Sequence, residues 1–182
     1  MGMKKLISGC VFWLCLASAA LAAPLQTVPE LDLQLYSGTW YEIAAFPTLF
    51  QSERCVGTSA TYTYYPNGDI KVWNQCYLPQ ANGGWHLDRI EGRARLADSS
   101  DPTRLKVNFF GPFEGDYWVI ELGSNYQYAV VGHPQRNFLW ILSREPELDA
   151  GTYAHLLERI AAQGYDVTRL RRTPSMASQQ RL

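Results

Sequence analysis

The 182-residue sequence has little that points to catalysis or to nucleic acid. Its three histidines, His86, His133 and His155, are scattered, with no H-x-x-x-H spacing and no neighbouring cysteine to complete a zinc site. No G-x-S-x-G elbow and no glycine-rich phosphate loop occur, so nucleophilic hydrolysis and nucleotide binding lose their usual sequence supports. No sign of charge dominates: 16 Lys and Arg stand against 17 Asp and Glu, without a basic run. That balance gives no electrostatic reason to expect nucleic acid or an anionic lipid surface as partner. Neither a metal nor a cofactor is called for, and the sequence is read as a non-enzyme. Cysteines number four, and long apolar runs are confined to the amino terminus.

That amino terminus reads as a targeting segment. Lys4 and Lys5 precede the apolar run Leu6 to Ala22, which ends in the small-x-small pattern Ala20-Leu21-Ala22. Cleavage after Ala22 makes 1–22 a signal peptide, against a membrane anchor, which needs ~20 apolar residues without such a site. A second reading takes Ile7-Ser8-Gly9-Cys10 as a lipobox with Cys10 as a lipidated amino terminus. Only Leu6 and Ile7 then separate the lysines from the motif, short of an apolar h-region of about 7 to 15 residues. Cleavage leaves 160 of the 182 residues, the size of one domain. It also removes Cys10 and Cys15, so Cys55 and Cys76 remain as an even pair in an oxidising compartment, where a disulfide is expected. Were both thiols free, either could serve as a nucleophile or redox centre.

The mature chain is rich in short runs of β-branched and aromatic residues separated by turn signals. Eight strands are expected. One opens at Trp40, and two flank the Pro66-Asn67-Gly68-Asp69 turn. The other five are WHLDRIEGRARLA, RLKVNFF, DYWVIEL, YQYAVVG and FLWILSR. A single helix is expected after the N-cap Asp149, with Tyr153, Leu156, Leu157 and Ile160 on one face and Gly164 at its end. The arrangement this predicts is all-β: an eight-stranded antiparallel up-and-down barrel with the helix on its wall, because closure leaves no sheet edge exposed. The barrel domain with its helix is placed at 23–172 and a flexible tail at 173–182. Strand alternation with a shared register puts Tyr62, Tyr64, Val72, Asn74, Val107, Phe109, Trp118, Ile120, Trp140 and Leu142 inside. A barrel of this strand number is either filled by side chains or holds one small ligand, so a filled interaction module stays open beside a carrier.

Three motifs carry a family resemblance. Ser37 to Ala44, SGTWYEIA, resembles the glycine-x-tryptophan signature of the lipocalins. Gly115 to Leu122, GDYWVIEL, resembles their second motif, with Gly115 where Thr is usual. Leu139 to Arg144, LWILSR, resembles their third. The likeness is strongest to the branch of bacterial outer-membrane lipocalins and apolipoprotein D. It implies that Gly38, Trp40 and Arg144 close the barrel floor. It also implies that small hydrophobic ligands, fatty acids or lysophospholipids, bind at Tyr62, Asn74, Phe109, Tyr117, Trp118, Trp140 and Leu142. Phe46, Leu49 and Phe50, in the loop after the first strand, either meet a lipid chain or pack that loop on the rim. The implied setting is the bacterial periplasm, with association with the outer membrane, and a role in outer-membrane maintenance as a monomer or weak homodimer. Where the apolipoprotein has an acidic residue this chain has Cys76. A Cys55–Cys76 bridge would need a bulge or a diagonal pairing, because the simple hairpin register does not set the two opposite.

Overall fold

A computed structural model describes residues 23–179. The expected signal peptide and the lipobox at Cys10 lie outside these residues. A short helix α1 (Leu33–Tyr36), capped by the Asp32 carboxylate on the Gln34 and Leu35 amides, precedes eight long strands. These are β1 (Gly38–Ala45), β2 (Val56–Tyr64), β3 (Ile70–Pro79), β4 (Trp85–Asp98), β5 (Asp101–Phe110), β6 (Phe113–Leu122), β7 (Tyr128–Gly132) and β8 (Leu139–Ser143). Each pairs antiparallel with the next, and β1 pairs with both β8 and β2, so the sheet closes on itself. Helix α2 (Ala150–Ala162) begins at Asp149, whose side chain accepts from the Thr152 amide, and Gly164 turns the chain away at φ +84°.

Two apolar clusters follow from the strand period of two. One lies inside the barrel and includes Trp40, Tyr62, Val72, Leu105, Tyr117, Val119, Val131 and Leu142. The other lies between the outer wall and α2, where Leu156, Ile160 and Tyr165 meet Ile43, Ile120, Val130, Leu139 and Ile141. Arg159 ties the helix to β6 through Glu121, at 3.0 and 3.2 Å.

After α2 a 3₁₀ turn (Val167–Arg169) leads into β9 (Arg171–Arg172), which pairs with β1 at Ala44 and Ala45, above the point where β2 has separated from β1. The segment from residue 173, expected as a flexible tail, continues this seam instead. The Thr173 amide donates to the Ile43 carbonyl at 3.0 Å, and the Gly57 amide donates to the Pro174 carbonyl at 2.8 Å. A last helical turn α3 (Met176–Gln179) follows. The tail is held because it satisfies backbone groups that the gap between β1 and β2 would otherwise leave unpaired.

Cys55 and Cys76 are bridged, with Cα atoms 5.4 Å apart. Val56 pairs with Tyr77 after an irregularity between Val56 and Ser59, so the bridge joins the residues just before each in a diagonal arrangement. The bridge consumes both thiols that the thiol-dependent alternative requires.

Candidate ligand-binding site

The barrel floor is built around one indole. Trp40 is fully buried, and its N–H donates to the Tyr36 carbonyl at 2.8 Å. Arg144 lies over its ring, 3.8 Å from guanidinium carbon to ring centroid. The same guanidinium donates to the carbonyls of Leu35 (2.7 Å), Ser37 (2.9 Å), Thr39 (2.9 Å) and Tyr126 (3.3 Å). Gly38 adopts φ +97°, and a Cβ there would stand 3.2 Å from Nη1 of Arg144. A side chain at 38 would therefore be strained by the backbone and pressed against the arginine.

Above the indole sits a buried tyrosine cluster. The hydroxyls of Tyr36 and Tyr117 are 2.7 Å apart, and the Tyr62 ring lies 5.7 Å from Tyr36 and 5.8 Å from Tyr117. Burial raises all three phenols, Tyr62 to about 12 and the other two well above the ordinary value, so they remain neutral hydrogen-bonding groups. The lower barrel is thus packed by aromatic rings.

The upper interior is more open. Ala60, Val107, Phe109 and Trp140 pack against the apolar cluster yet stay only half-buried, as does Asn74, whose cross-strand partner is Ala60. The Oδ1 of Asn74 is buried without a hydrogen-bond partner. Such an atom is costly unless something donates to it. Phe109 lies against Gly92, where a Cβ would come within 2.5 Å of its ring, so the glycine in β4 sets where this aromatic sits. From Trp140 an aromatic series runs to the rim: Phe138 stacks on Trp140 at 5.9 Å, and Phe50 of the β1–β2 loop meets Phe138 at 6.0 Å.

Two of the residues expected inside are not there. Trp118 and Ile120 lie on the outer face of β6 against the helix cluster, and Tyr117 and Val119 point inward. The pairing of Val107 with Gly115 sets this register, one residue from the expected face, and a one-residue slip reverses every side chain of a strand. Trp118 instead carries the Arg104 guanidinium 4.5 Å above its ring. Phe46 likewise belongs to the outer cluster, edge-on to Tyr165, while Leu49 is fully exposed. The other expected contacts, Tyr62, Asn74, Phe109, Tyr117, Trp140 and Leu142, share the interior face.

Sequence reasoning passed over Glu42. It shares the inward face with Trp40 and pairs with Leu142, and at 8% exposure it is a buried carboxylate. Thr173 Oγ1 and Gln51 Nε2 donate to its Oε1 at 2.6 and 3.1 Å. Desolvation raises its pKa despite these two donors. Beside it opens a cavity of about 360 Å³, bounded by the β1–β2 loop and the segment 171–174.

Comparison with known proteins accords with this architecture. Residues 31–175 match the family model described as a lipocalin-like domain. The chain is 41% identical over 158 residues to temperature-induced lipocalin-1 of Arabidopsis thaliana, covering 82% of each chain. It is 38% identical over 145 residues to the outer membrane lipoprotein Blc of Escherichia coli K12, covering 80% of each. With mouse apolipoprotein D the identity is 30% over 151 residues, covering 78% of this chain and 76% of the other. Among solved structures, insecticyanin from the tobacco hornworm Manduca sexta superposes with a TM-score of 0.65 at 23% identity, covering 85% and 86% of the two chains.

Proposed function

Because the chain belongs to the lipocalin family, whose members typically bind small hydrophobic ligands, we propose that it carries a fatty acid or lysophospholipid in the bacterial cell envelope, supporting maintenance of the outer membrane. The acyl chain occupies the upper interior between Phe109 and Trp140, and Asn74 receives a hydrogen bond from the ligand or its water. The observation that carries this reading is the unpartnered Oδ1 of Asn74 inside an otherwise apolar, half-open interior. Three of the curated relatives named above are a bacterial outer membrane lipoprotein, a plant lipocalin and an apolipoprotein, and this supports a lipid-facing role. The rings below the ligand set the depth of the site, since the Tyr36, Tyr62 and Tyr117 cluster occupies the floor.

Native mass spectrometry of protein purified from the envelope fraction tests this directly. One co-purified acyl lipid per chain is the expected result. Titration with fatty acids of increasing length should then tighten binding roughly fourfold per added methylene, at about 0.8 kcal/mol each, until the interior is filled. An empty protein that refuses both fatty acid and lysophospholipid would overturn the reading and favour the filled-barrel interaction module.

A further inference from the structure

The cavity beside Glu42 is not part of the apolar interior, and its chemistry differs. Its wall holds a buried carboxylate, Glu42, whose two hydrogen bonds both go to Oε1, leaving Oε2 without a donor. Among the described residues no cation pairs with this carboxylate. The Oγ1 of Thr48, on the same wall, is also buried without a partner. Buried carboxylates are ordinarily paired, so an unpaired one facing a cavity lacks the cation it is built to meet.

The opposite charge also lines the cavity. Arg171 makes no ion pair or side-chain hydrogen bond among the described residues, and Arg172 lies 4.2 Å over the Tyr153 ring with its edge on the cavity. The remaining charged group on the wall is Glu53, which is exposed. A site with an uncompensated carboxylate within and a free guanidinium at its rim matches a group that carries both charges. Its volume of about 360 Å³ suits a group of head-group size. The cavity also adjoins the interior: its wall residues Glu42 and Ala45 pair across β1 and β8 with Leu142 and Trp140.

We propose that this cavity holds the phospho-ammonium head group of a zwitterionic lysophospholipid, with the ammonium on Glu42 and Thr48 and the phosphate on Arg171. This rests on the acyl-carrier reading above and sharpens it. The carboxylate of a free fatty acid finds only the arginine in such a site, and its approach to Glu42 is repelled.

The test titrates the mature protein with lysophosphatidylethanolamine, lysophosphatidic acid and the fatty acid of one acyl length, and with phosphoethanolamine alone. The ethanolamine lipid should bind about tenfold more tightly than lysophosphatidic acid, the worth of one charge-assisted hydrogen bond. Glu42→Gln should erase that preference, and Arg171→Ala should weaken both phospholipids and the fatty acid, since each presents an anionic group to the guanidinium. Equal affinity of the two phospholipids for the unaltered protein, or a preference that survives Glu42→Gln, overturns the head-group site and leaves the carrier reading standing. Phosphoethanolamine binding as tightly as the lipid would overturn the lipid as source. If no acyl ligand binds, the carrier reading falls and this site falls with it. Should Glu42→Gln fail to fold, the two phospholipids on the unaltered protein decide.

Discussion

Arg144 and Trp40 are locked face to face, the guanidinium 3.8 Å over the indole and hydrogen-bonded to four carbonyls from α1, β1 and their neighbours. A lysine can supply the charge but neither the flat stacking surface nor the fork of donors. Arg144→Lys should therefore destabilise the fold by about 2 kcal/mol, and Trp40→Ala by about 3 to 5 kcal/mol, since it also leaves a void. Urea unfolding followed by circular dichroism measures both, and an unchanged midpoint for Trp40→Ala would remove the indole from its place as barrel plug.

Two tryptophans separate the inner from the outer face. Trp140→Ala should weaken acyl-ligand binding by at least tenfold, since a large aromatic contact is lost from the interior, while Trp118→Ala should leave it nearly unchanged. Isothermal titration of each variant provides the comparison. Equal losses from the two would contradict the register of β6.

Glu42 makes stability depend on pH in an unusual direction. Burial raises its pKa in the fold, so the folded protein holds this proton more tightly than the unfolded chain does. The group's contribution is fully present below the usual carboxylate range and is lost as pH rises through the raised folded value. Exposed Asp98, Asp149 and Asp166, with lowered pKa values from local hydrogen bonds, act in the opposite sense. Glu42→Gln isolates the effect: relative to the unaltered protein it should gain stability as pH rises from about 4 through the raised folded value of the carboxyl, and then level off. Parallel melting series across that range check this, and a constant difference would show that the carboxyl titrates alike in both states.

The bridge between Cys55 and Cys76 closes a loop with a sequence separation of 21. Replacing both cysteines by serine should cost about 3 kcal/mol through the freed unfolded chain. Equilibrium denaturation under oxidising conditions measures it.

Gly92→Ala should displace Phe109, whose ring and whose neighbour's carbonyl, that of Asn108, both lie within 2.7 Å of the added Cβ. A loss of stability of about 1 to 3 kcal/mol is expected, with altered ligand affinity as the second readout.

Strand positions were legible because glycine, proline and asparagine turns punctuate them, and the helix because Asp149 and Gly164 mark its ends. The inward face of β6 was not. DYWVIEL is apolar on both sides, because one face meets the barrel interior and the other meets α2, so alternation gives no sign of which is which. Glu42 was hidden for a related reason: a carboxylate in a strand reads as solvent-facing until the partners Gln51 and Thr173 are seen beside it. The tail looked unstructured by composition, but its order comes from backbone pairing with Ile43 and Gly57, to which side-chain composition is blind. Within the site, the resemblance to known motifs located Trp40 and Arg144 together, while the tyrosine cluster required knowing where α1 turns Tyr36.

The seam where residues 171–174 join β1 to β2 bears on how the protein is made. β1 and its upper partner lie far apart in the sequence, with all the other strands between them, so until residues 171–174 dock, the β2-facing edge from Ile43 to Ala45 has no strand from its own chain. An unfilled edge of this kind is open to pairing with a neighbouring nascent chain. Docking of residues 171–174, rather than of any one hairpin, is thus the event that shuts the barrel wall, and this segment acts as the latch.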